Sequence, residues 1–466
     1  MMTSSGDGDA DELKVRRKRA PEETRAPRQR VLVLVPVWKR QVRVGEKTAP
    51  FPQVHTPENR LAEAIGLCNA IDLNIIDALI VPLSEPRPAT LLGSGKVEEL
   101  RALISEKQIG LVVIDHIVTP VQQRNLEKTW ETKVIDRTGL ILEIFGARAR
   151  TKEGVLQVEL AHLSYQKGRL VRAWTHLERQ RGGGGFLGGP GEAQIELDRR
   201  MLQDRIVAIK GDLKEVVKTR DLHRKGRRKV PYPIVAIVGY TNAGKSTLFN
   251  RLTGAGVLAM DQVFATLDPT MREVKLPSAR KIILSDTVGF ISDLPTMLVA
   301  AFRATLEEVI EADLVLHVRD IAHDETETQA RDVEKVLSGL GIDTLPADSH
   351  IMEVWNKADL LSNARASELQ HELTRDERPP VLVSAKTGEG IAALLDAIDA
   401  RLGKADEILD VEIPGHEGAL IAWLYETADV MSREDGEAGA LHMRVRLASE
   451  KKDRVIARLR KAGIRV

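Results

Sequence analysis

Residues 239–246 read Gly-Tyr-Thr-Asn-Ala-Gly-Lys-Ser, the most informative motif in the chain. It stands between an apolar run, 234–238, and Thr247-Leu248-Phe249, that is, between a predicted strand and a predicted helix. A phosphate-binding loop has this setting, because its backbone N–H groups surround a phosphate at the start of a helix. Only small residues allow so close an approach, which explains Gly239 and Gly244. We expect Lys245 to lie against the β- and γ-phosphates and Ser246 to ligate Mg²⁺. The sequence predicts a nucleoside triphosphate site made by Gly239, Tyr240, Thr241, Asn242, Ala243, Gly244, Lys245, Ser246 and Thr247.

A second pair of motifs predicts which base is bound. Asn356-Lys357-Ala358-Asp359 follows the apolar run 351–355, and Ser384-Ala385-Lys386 follows the predicted strand 381–383. A carboxylate such as Asp359 accepts both N1–H and the exocyclic amine of guanine, and such sites discriminate by a factor on the order of 10⁴–10⁵. We expect Asn356 to join this loop to the phosphate loop, the stem of Lys357 to cover the base, and a backbone N–H of the second motif to meet guanine O6. The predicted base is guanine.

Two further segments have the pattern of nucleotide-dependent switches. Asp286-Thr287-Val288-Gly289 ends a predicted strand, where Asp286 fits a carboxylate that holds Mg²⁺ through water and Gly289 a donor to the γ-phosphate. The first switch is expected at Phe264-Ala265-Thr266-Leu267-Asp268-Pro269-Thr270. Thr266 is the best candidate for a Mg²⁺ ligand there, with Thr270 as its competitor and a turn or capping threonine as the structural alternative. Lys245, Thr266 and Gly289 are the catalytic candidates.

The position after Gly289 is Phe290. Small GTPases such as Ras have a glutamine there that orients the attacking water. A phenylalanine offers no such hydrogen bond, so slow intrinsic hydrolysis and an external trigger are expected. Asn242 is a candidate ligand for K⁺ near the phosphates, which would supply the charge that an arginine finger supplies elsewhere; alternatively it only stabilises its own loop.

Composition limits the remaining possibilities. The chain has 466 residues, enough for about three domains, and 68 basic residues balance 68 acidic ones. A pI near 7.2 argues against a surface that is basic throughout, so any contact with nucleic acid is local. The single cysteine, Cys68, excludes an internal disulfide and falls on an apolar helix face. No apolar run approaches about 18 residues and no signal pattern is seen, so we expect a soluble, cytoplasmic protein without membrane insertion. We also expect a monomer, although these features do not bear on oligomeric state.

The chain divides into five predicted segments. Residues 1–30 are polar, charged and expected to be disordered, and 31–150 alternate strands and helices as in a small α/β domain with a largely parallel sheet. A helical hairpin arm is predicted over 151–230, a P-loop nucleotide domain over 231–402, and a small α/β domain over 403–466. The predicted fold class is therefore α/β, with a helical arm between two of its units.

The predicted arm has two apolar stripes at helical spacing, Leu156 to Leu177 and Ile195 to Val216. They flank the glycine-rich loop 181–191, which contains Phe186 and Leu187, so an antiparallel hairpin with this loop at its tip is expected. The loop is either a flexible connector or a probe that orders against a partner. Arginines near the tip and a basic run over 218–229 favour a phosphate backbone as that partner, although a charge run is often only a solvated face.

The last segment predicts a strand near Val411, a helix from Ala419 to Met431, a strand from Leu441 to Leu447 and a final helix. In the strand 441–447, apolar residues alternate with His442, Arg444 and Arg446. One face is therefore expected in a core and the other is basic, either as a second RNA contact or as ordinary surface.

The motifs, taken together, resemble those of the HflX family of GTPases. The resemblance rests on Gln157-Val-Glu159-Leu160, Trp174 to Gln180, the glycine loop, Gly189 to Glu192, Asp198-Arg199-Arg200, Phe264 to Pro269 and Asp286 to Ile291, and covers roughly residues 55–400. It implies a GTPase that binds the large ribosomal subunit and its rRNA, separates stalled or idle ribosomes, and uses Ser246 and Thr266 as Mg²⁺ ligands. It also implies that the helical domain enters the ribosome.

Two other functions remain as alternatives. The chain could be a switch whose arm contacts a protein effector without RNA, or a binding module in which turnover is incidental. Salt-sensitive binding to large ribosomal subunits would favour the ribosome-acting GTPase over the protein-effector switch. Strong stimulation of hydrolysis by ribosomes would favour it over the binding module.

Overall fold

A computed structural model describes residues 28–38, 55–180, 190–227, 232–254, 263–264, 270–294, 303–342, 350–362, 364–365, 367–369, 379–403, 406–436 and 440–464. Except for its last three residues, the tail predicted to be disordered lies outside these ranges. So do residues 265–269 of the first switch and residues 181–189 of the glycine-rich loop.

The first unit is a four-stranded parallel sheet in the order β2-β1-β3-β4. Its strands are β1 (Arg30–Trp38), β2 (Asn74–Leu83), β3 (Leu111–Ile114) and β4 (Lys133–Asp136). Its helices are α1 (Pro57–Asn69), α2 (Ser94–Glu106), α3 (Pro120–Trp130) and α4 (Arg137–Arg148). The predicted alternation of strands and helices and the parallel sheet are confirmed. Cys68 is fully buried in α1, as its apolar neighbours predicted.

Local capping places the charged residues of this unit. Thr56 caps α1 with Pro57 in its first turn, and Asp136 caps α4 by accepting the N–H of Gly139 at 2.8 Å. Because the two helices begin at these residues, Arg60 and Glu63 of α1 and Arg137 of α4 lie near the carboxyl end of β3, next to Asp115. In an open parallel sheet this edge is the usual place for functional side chains.

The arm is a pair of long helices, α5 (Lys152–Gln180) and α6 (Pro190–Arg227). Lys167 donates to Gln203, while Arg205 pairs with Glu159, so residues nearer the tip contact each other and the helices run antiparallel. The predicted hairpin is confirmed. The start of α6 differs from the prediction: Pro190 and Gly191 belong to the helix rather than to the loop, because proline is well accommodated in a first helical turn.

The central unit is a six-stranded sheet in the order β10-β9-β8-β5-β7-β6, in which only β6 is antiparallel to its neighbour. Its strands are β5 (Ile234–Gly239), β6 (Thr270–Lys275), β7 (Lys281–Asp286), β8 (Leu314–Asp320), β9 (Ile351–Asn356) and β10 (Val381–Leu382). Its helices are α7 (Lys245–Thr253), α8 (Arg303–Ile310), α9 (Thr326–Gly339) and α10 (Ile391–Gly403). The motifs at the ends of β5, β7 and β9 therefore meet at one edge of this sheet.

The last unit is an antiparallel sheet in the order β11-β13-β12, made by β11 (Asp406–Pro414), β12 (Asp429–Asp435) and β13 (Ala440–Ala448). Helices α11 (Gly418–Thr427) and α12 (Ser449–Lys461) accompany it. The predicted helix from Ala419 to Met431 was too long. It ends at Thr427, the backbone of Ala428 is extended, and Met431 belongs to the strand β12, which was not predicted.

The predicted basic face of β13 was wrong. Arg444 pairs with Asp410 on β11 at 2.7 Å, and Arg446 is 7% exposed, lies near Asp429 of β12 and donates to the carbonyl of Ser278 at 3.1 Å. His442 faces Glu412 across the same pairing. Because the flanking strands carry acidic residues opposite each basic one, the face is close to neutral.

Candidate nucleotide-binding site

The phosphate loop has the backbone that its glycines predicted. Gly239 and Gly244 have φ of 150° and 87°. A Cβ on Gly239 would lie 2.1 Å from the carbonyl oxygen of Val318, and one on Gly244 would lie 2.2 Å from Nδ2 of Asn356. No side chain fits at either position, so both glycines are required by the fold as well as by the approach of a phosphate.

Lys245 begins α7 and lies inside the loop, where its Nζ donates to the carbonyl of Tyr240 at 2.6 Å. Burial lowers its pKa to about 8, although the carboxylate of Asp286 opposes this effect. A polyphosphate beside Nζ would stabilise the charged form further. The ammonium group is thus held against the backbone of the phosphate loop.

The hydroxyl of Ser246 donates to Oδ2 of Asp286 at 2.8 Å, and Asp286 is fully buried. These are hard oxygen donors at the start of a helix and the end of a neighbouring strand, a donor set that suits Mg²⁺. Thr270, the competing candidate in the first switch, is paired directly opposite Asp286 across β6 and β7. Thr266 lies outside the described residues together with Ala265, Leu267 and Asp268.

Gly289 is packed against the phosphate loop. A Cβ there would lie 2.9 Å from Nζ of Lys245 and 3.1 Å from Cα of Thr241. Phe290 extends the contact, because its N–H donates to Gly239 at 3.1 Å and its carbonyl accepts from Thr241 at 2.6 Å. The end of the second switch and the phosphate loop are therefore joined by backbone hydrogen bonds.

Three residues of the predicted switches have side chains that contact other parts of the protein. Thr287 donates its hydroxyl to the carbonyl of Ile237 at 2.6 Å, and Val288 is buried in a hydrophobic cluster. Phe264 packs edge-on against Phe145, with ring centroids 4.6 Å apart. At Thr287 and Val288 only backbone groups remain for a nucleotide to contact.

Asn356 joins the three loops of the site. Its Nδ2 donates to the carbonyl of Ala243 at 2.8 Å, and its Oδ1 accepts the N–H of Ala385 at 3.0 Å. Ser384 donates its hydroxyl to Asp359 at 2.6 Å. The structure thus brings together the base motifs at 356–359 and 384–386 and the phosphate loop, which lie far apart in the sequence.

Lys357 has a partner that the sequence did not indicate. It has a φ of 67°, and its Nζ pairs with Oδ2 of Asp320, at the end of β8, at 2.8 Å. The ion pair fixes the direction of the lysine stem, which is the part expected to cover the base.

A buried polar network connects the site to the first unit. Tyr240 donates its hydroxyl to Glu63 and accepts the N–H of Ser292 at 2.8 Å. Arg137 pairs with Glu63, and it also donates to Asp115 at 2.5 Å and to the carbonyl of Ser292 at 2.8 Å. The network therefore holds the phosphate loop and the segment after Gly289 against α1 and α4.

Electrostatics keep this network charged. Burial alone would raise the pKa of Asp115, but the guanidinium groups of Arg137 and Arg60 hold it below its usual range. Burial, followed by the charge of Glu63, raises the pKa of Tyr240 well above its ordinary value, so its hydroxyl stays protonated and donates. Sequence reasoning missed Glu63, Arg137 and Ser292 as neighbours of the site. The only available signal was Asp115, a carboxylate directly after a buried parallel strand.

Comparison with known proteins identifies the family. Successive family models match the chain: GTP-binding GTPase N-terminal over 58–146, GTP-binding GTPase middle region over 148–227, 50S ribosome-binding GTPase over 234–357, and HflX C-terminal domain over 370–463. A GTPase HflX from Magnetococcus marinus is 51% identical over 81% of this chain and 85% of that protein. The chain belongs to the HflX family of GTPases.

Another HflX GTPase, from Escherichia coli, is 43% identical over 83% of this chain and 89% of its own length. Among solved structures, a GTP-binding protein from Sulfolobus solfataricus in complex with GDP covers 80% of this chain and 98% of its own, with 22% identity and a TM-score of 0.42. HflX membership makes this chain a GTP-binding, GTP-hydrolysing enzyme, and P-loop GTPases of this kind use Mg²⁺. The HflX likeness also reaches the C-terminal unit, beyond the 55–400 expected from the motifs. Within the described ranges, no helix has the length and apolarity needed to cross a membrane.

Proposed function

We propose that this chain couples GTP hydrolysis to binding of the large ribosomal subunit and its rRNA, and that it separates stalled or idle ribosomes in the cytoplasm. The observation that carries the proposal is the match of residues 234–357, which hold the phosphate loop and the base motif, to a family described as a 50S ribosome-binding GTPase. We further propose that it acts as a monomer, with unit boundaries near 150, 230 and 402. The limits of the family matches support the first two of these boundaries, whereas the C-terminal match, 370–463, begins before 402.

We assign the site residues as follows. Lys245 and the loop N–H groups bind the β- and γ-phosphates, the N–H of Gly289 meets the γ-phosphate, and Asp359 with the 384–386 loop reads guanine. Ser246 and Thr266 hold Mg²⁺, with Asp286 acting through water. When bound, that ion neutralises charge on the phosphates during transfer. The short Ser246–Asp286 contact supports this assignment.

Two further roles remain proposals. Asn242 has an exposed side chain and a φ of 61°, which leaves its side chain available to a monovalent cation such as K⁺ beside the phosphates. Phe290 is 1% exposed and cannot orient water, so the ribosome is proposed to order the attacking water. Both ideas predict slow hydrolysis by the protein alone.

The arm is the proposed ribosome contact. Helix α6 has 38 residues, a length of about 57 Å, and ends shortly before the strand that leads into the phosphate loop. Arg199, Arg200 and Lys218 are exposed along it, as contacts to a phosphate backbone require. Movement of the arm and of the second switch would be coupled through the first unit, because only three residues separate α5 from α4 and Arg169 of α5 pairs with Asp136, which caps α4.

The decisive experiment combines binding and turnover. The purified chain should sediment with large ribosomal subunits in a non-hydrolysable GTP analogue more than in GDP, with an affinity that falls steeply as salt increases. Ribosomes should accelerate GTP hydrolysis, and K⁺ should do so more than Na⁺ if Asn242 binds it. Turnover that is indifferent to ribosomes would contradict the proposal. An R199E/R200E variant should lose sedimentation while binding GDP normally.

A second candidate, a switch with a protein effector, is favoured by apolar residues exposed on α6. Leu197, Met201 and Val207 are 51%, 62% and 59% exposed. If the arm binds a protein through them, M201S should abolish binding, and raising the salt concentration should leave the affinity nearly unchanged, since apolar contacts release few counterions.

A further inference from the structure

Arg251 lies in the last turn of α7 and reaches the loop that follows β10. Its Nε donates to the carbonyl of Ala385 at 3.1 Å, and its Nη2 donates to the carbonyl of Lys386. The guanidinium group also lies against Gly388, where a Cβ would be 3.8 Å from its Cζ. One side chain from the phosphate-binding helix therefore holds two successive carbonyls of the loop expected to read the base.

The other backbone N–H groups at the start of this loop donate hydrogen bonds within the loop or to Asn356. The hydroxyl of Ser384 accepts the N–H of Thr387 at 3.1 Å, the N–H of Gly388 donates to the carbonyl of Ser384 at 2.8 Å, and the N–H of Ala385 is taken by Asn356. In the part of the chain that the structure describes, the N–H of Lys386 has no acceptor. It is the donor that this loop can offer to guanine O6.

Arg251 controls the direction of that donor through the geometry of the peptide unit. The carbonyl of Ala385 and the N–H of Lys386 belong to the same planar trans peptide and point in opposite directions. By fixing the carbonyl on the α7 side, Arg251 aims the N–H of Lys386 away from α7. The second bond, to the carbonyl of Lys386, prevents the next peptide from rotating in compensation.

We propose that Arg251 is a positioning residue for guanine recognition, which sets the N–H of Lys386 for O6 of the base. This rests on the proposed reading of guanine by Asp359 and the 384–386 loop. An N–H donor favours the carbonyl of guanine and opposes the amino group that adenine has at the same place. Lys245 and Arg251 are six residues apart on one helix, about 9 Å along its axis, so the phosphate end and the O6 end of the site share one rigid element.

The test compares nucleotides that differ at single positions of the base. Dissociation constants for GDP, IDP and 6-thio-GDP are measured for the wild-type chain, R251A, R251K and the matched control R272A, an exposed arginine on β6. IDP lacks the exocyclic amine that Asp359 reads, whereas 6-thio-GDP keeps that amine and N1–H but replaces O6 by a weaker acceptor. R251A should bind GDP about 10-fold more weakly, as loss of a charged hydrogen bond predicts.

The ratios of the dissociation constants show whether Arg251 positions the N–H of Lys386 for O6 or only stabilises the loop. In R251A the preference for GDP over 6-thio-GDP should fall toward one, while the preference for GDP over IDP stays at the wild-type value. R251K keeps the charge but cannot hold both carbonyls, so its preference for GDP over 6-thio-GDP should lie between those of R251A and the wild type. R272A should match the wild type. Equal weakening of all three nucleotides, or no weakening of any, would overturn the proposal. If R251A is not folded, the ratios of R251K decide alone.

Failure of the underlying assignment is recognised separately. D359N should lose its preference for GDP over XDP if Asp359 reads the base. If D359N keeps that preference, the guanine assignment fails whatever Arg251 does. If D359N behaves as expected and R251A does not, only the role of Arg251 is refuted.

Discussion

The hydroxyl of Tyr240, in the phosphate loop, accepts the backbone N–H of Ser292, three residues beyond Gly289, at 2.8 Å. The same hydroxyl donates to Glu63 on α1. One phenol therefore joins the phosphate loop, the segment after the second switch, and the first unit. Any movement of Gly289 toward a γ-phosphate must be accommodated at this point.

Removing that hydroxyl should loosen the junction. Y240F leaves the part-buried carboxylate of Glu63 and the N–H of the buried Ser292 without this partner, so the free energy of unfolding should fall by about 1–3 kcal/mol. Chemical denaturation measures the change. Y425F serves as the control, since Tyr425 is 46% exposed, and should have almost no effect. Equal stability of Y240F and the wild type would show that the junction contributes nothing.

Arg137 should be the more sensitive member of the network. R137A leaves Asp115 with Arg60 as its remaining cationic partner and leaves the part-buried Glu63 with only neutral hydrogen-bond partners; loss of one member of such a group costs up to about 3–5 kcal/mol. Thermal or denaturant unfolding should show this loss. By contrast, R101A removes an exposed pair with Glu98, which is worth less than about 1 kcal/mol. A small effect of R137A would mean that water replaces the guanidinium group.

The pH dependence of stability should include a contribution from His55. Burial would lower its pKa, but hydrogen bonds to Asp332 and Glu325, with the nearby charge of Glu63, raise it from 6.5 to about 9. Since the folded pKa lies above the unfolded one, the stabilisation is complete below pH 6.5 and is lost as pH rises through about 9. Four groups face the imidazole: Asp332 of α9, Glu325 directly before α9, Glu63 of α1, and Tyr240.

The measurement is the difference in unfolding free energy between the wild type and H55Q across this range. The difference should be largest near pH 6 and shrink toward pH 9. H416Q, at an exposed histidine, should show a constant difference. If the difference in unfolding free energy between the wild type and H55Q does not change with pH, the raised pKa of His55 is contradicted.

Gly289 should be intolerant of a side chain. A Cβ would lie 2.9 Å from Nζ of Lys245 and 3.1 Å from the backbone of Thr241, and overpacking of this kind costs about 1–3 kcal/mol. G289A should therefore weaken the binding of GTP analogues more than that of GDP, as titration calorimetry can measure. G339A, where nothing lies within 4 Å, is the matched control. The assigned role of Gly289 fails if the GTP-to-GDP affinity ratio is unchanged.

The base assignment gives the last prediction. Asp359 is held by the hydroxyl of Ser384 at 2.6 Å, so D359N keeps a similar shape while exchanging an acceptor for a donor. Hydrolysis should shift from GTP toward xanthosine triphosphate by at least about 10-fold in relative kcat/KM, because a lost buried hydrogen bond costs about 1–3 kcal/mol. Competition assays with both nucleotides measure this. An unaltered preference for GTP would refute the assignment.

Motifs made of consecutive residues could be predicted from the sequence, whereas contacts between residues far apart in the chain could not. The motifs at 239–246, 286–289 and 356–359 could be located because each contains its own spacing and follows an apolar strand. Tyr240 and Glu63 are 177 positions apart, and neither residue indicates the other. Arg446 was predicted to be exposed because alternation assigns a face to a side chain but cannot reveal that Ser278 of another unit covers it. The helix predicted through Met431 failed because apolar residues at 428, 430 and 431 continue the pattern after the backbone has become extended.

Phe290 has a consequence for how such an enzyme can evolve. Its ring belongs to the hydrophobic cluster shared by the first unit and the nucleotide unit, so the place where Ras-like enzymes keep their glutamine is occupied by core. An amide introduced there would be desolvated far from any water it could orient. A single substitution of Phe290 by glutamine would therefore not recreate the arrangement of the Ras-like enzymes. Placing such a side chain beside an attacking water would first require the packing between the two units to be rebuilt.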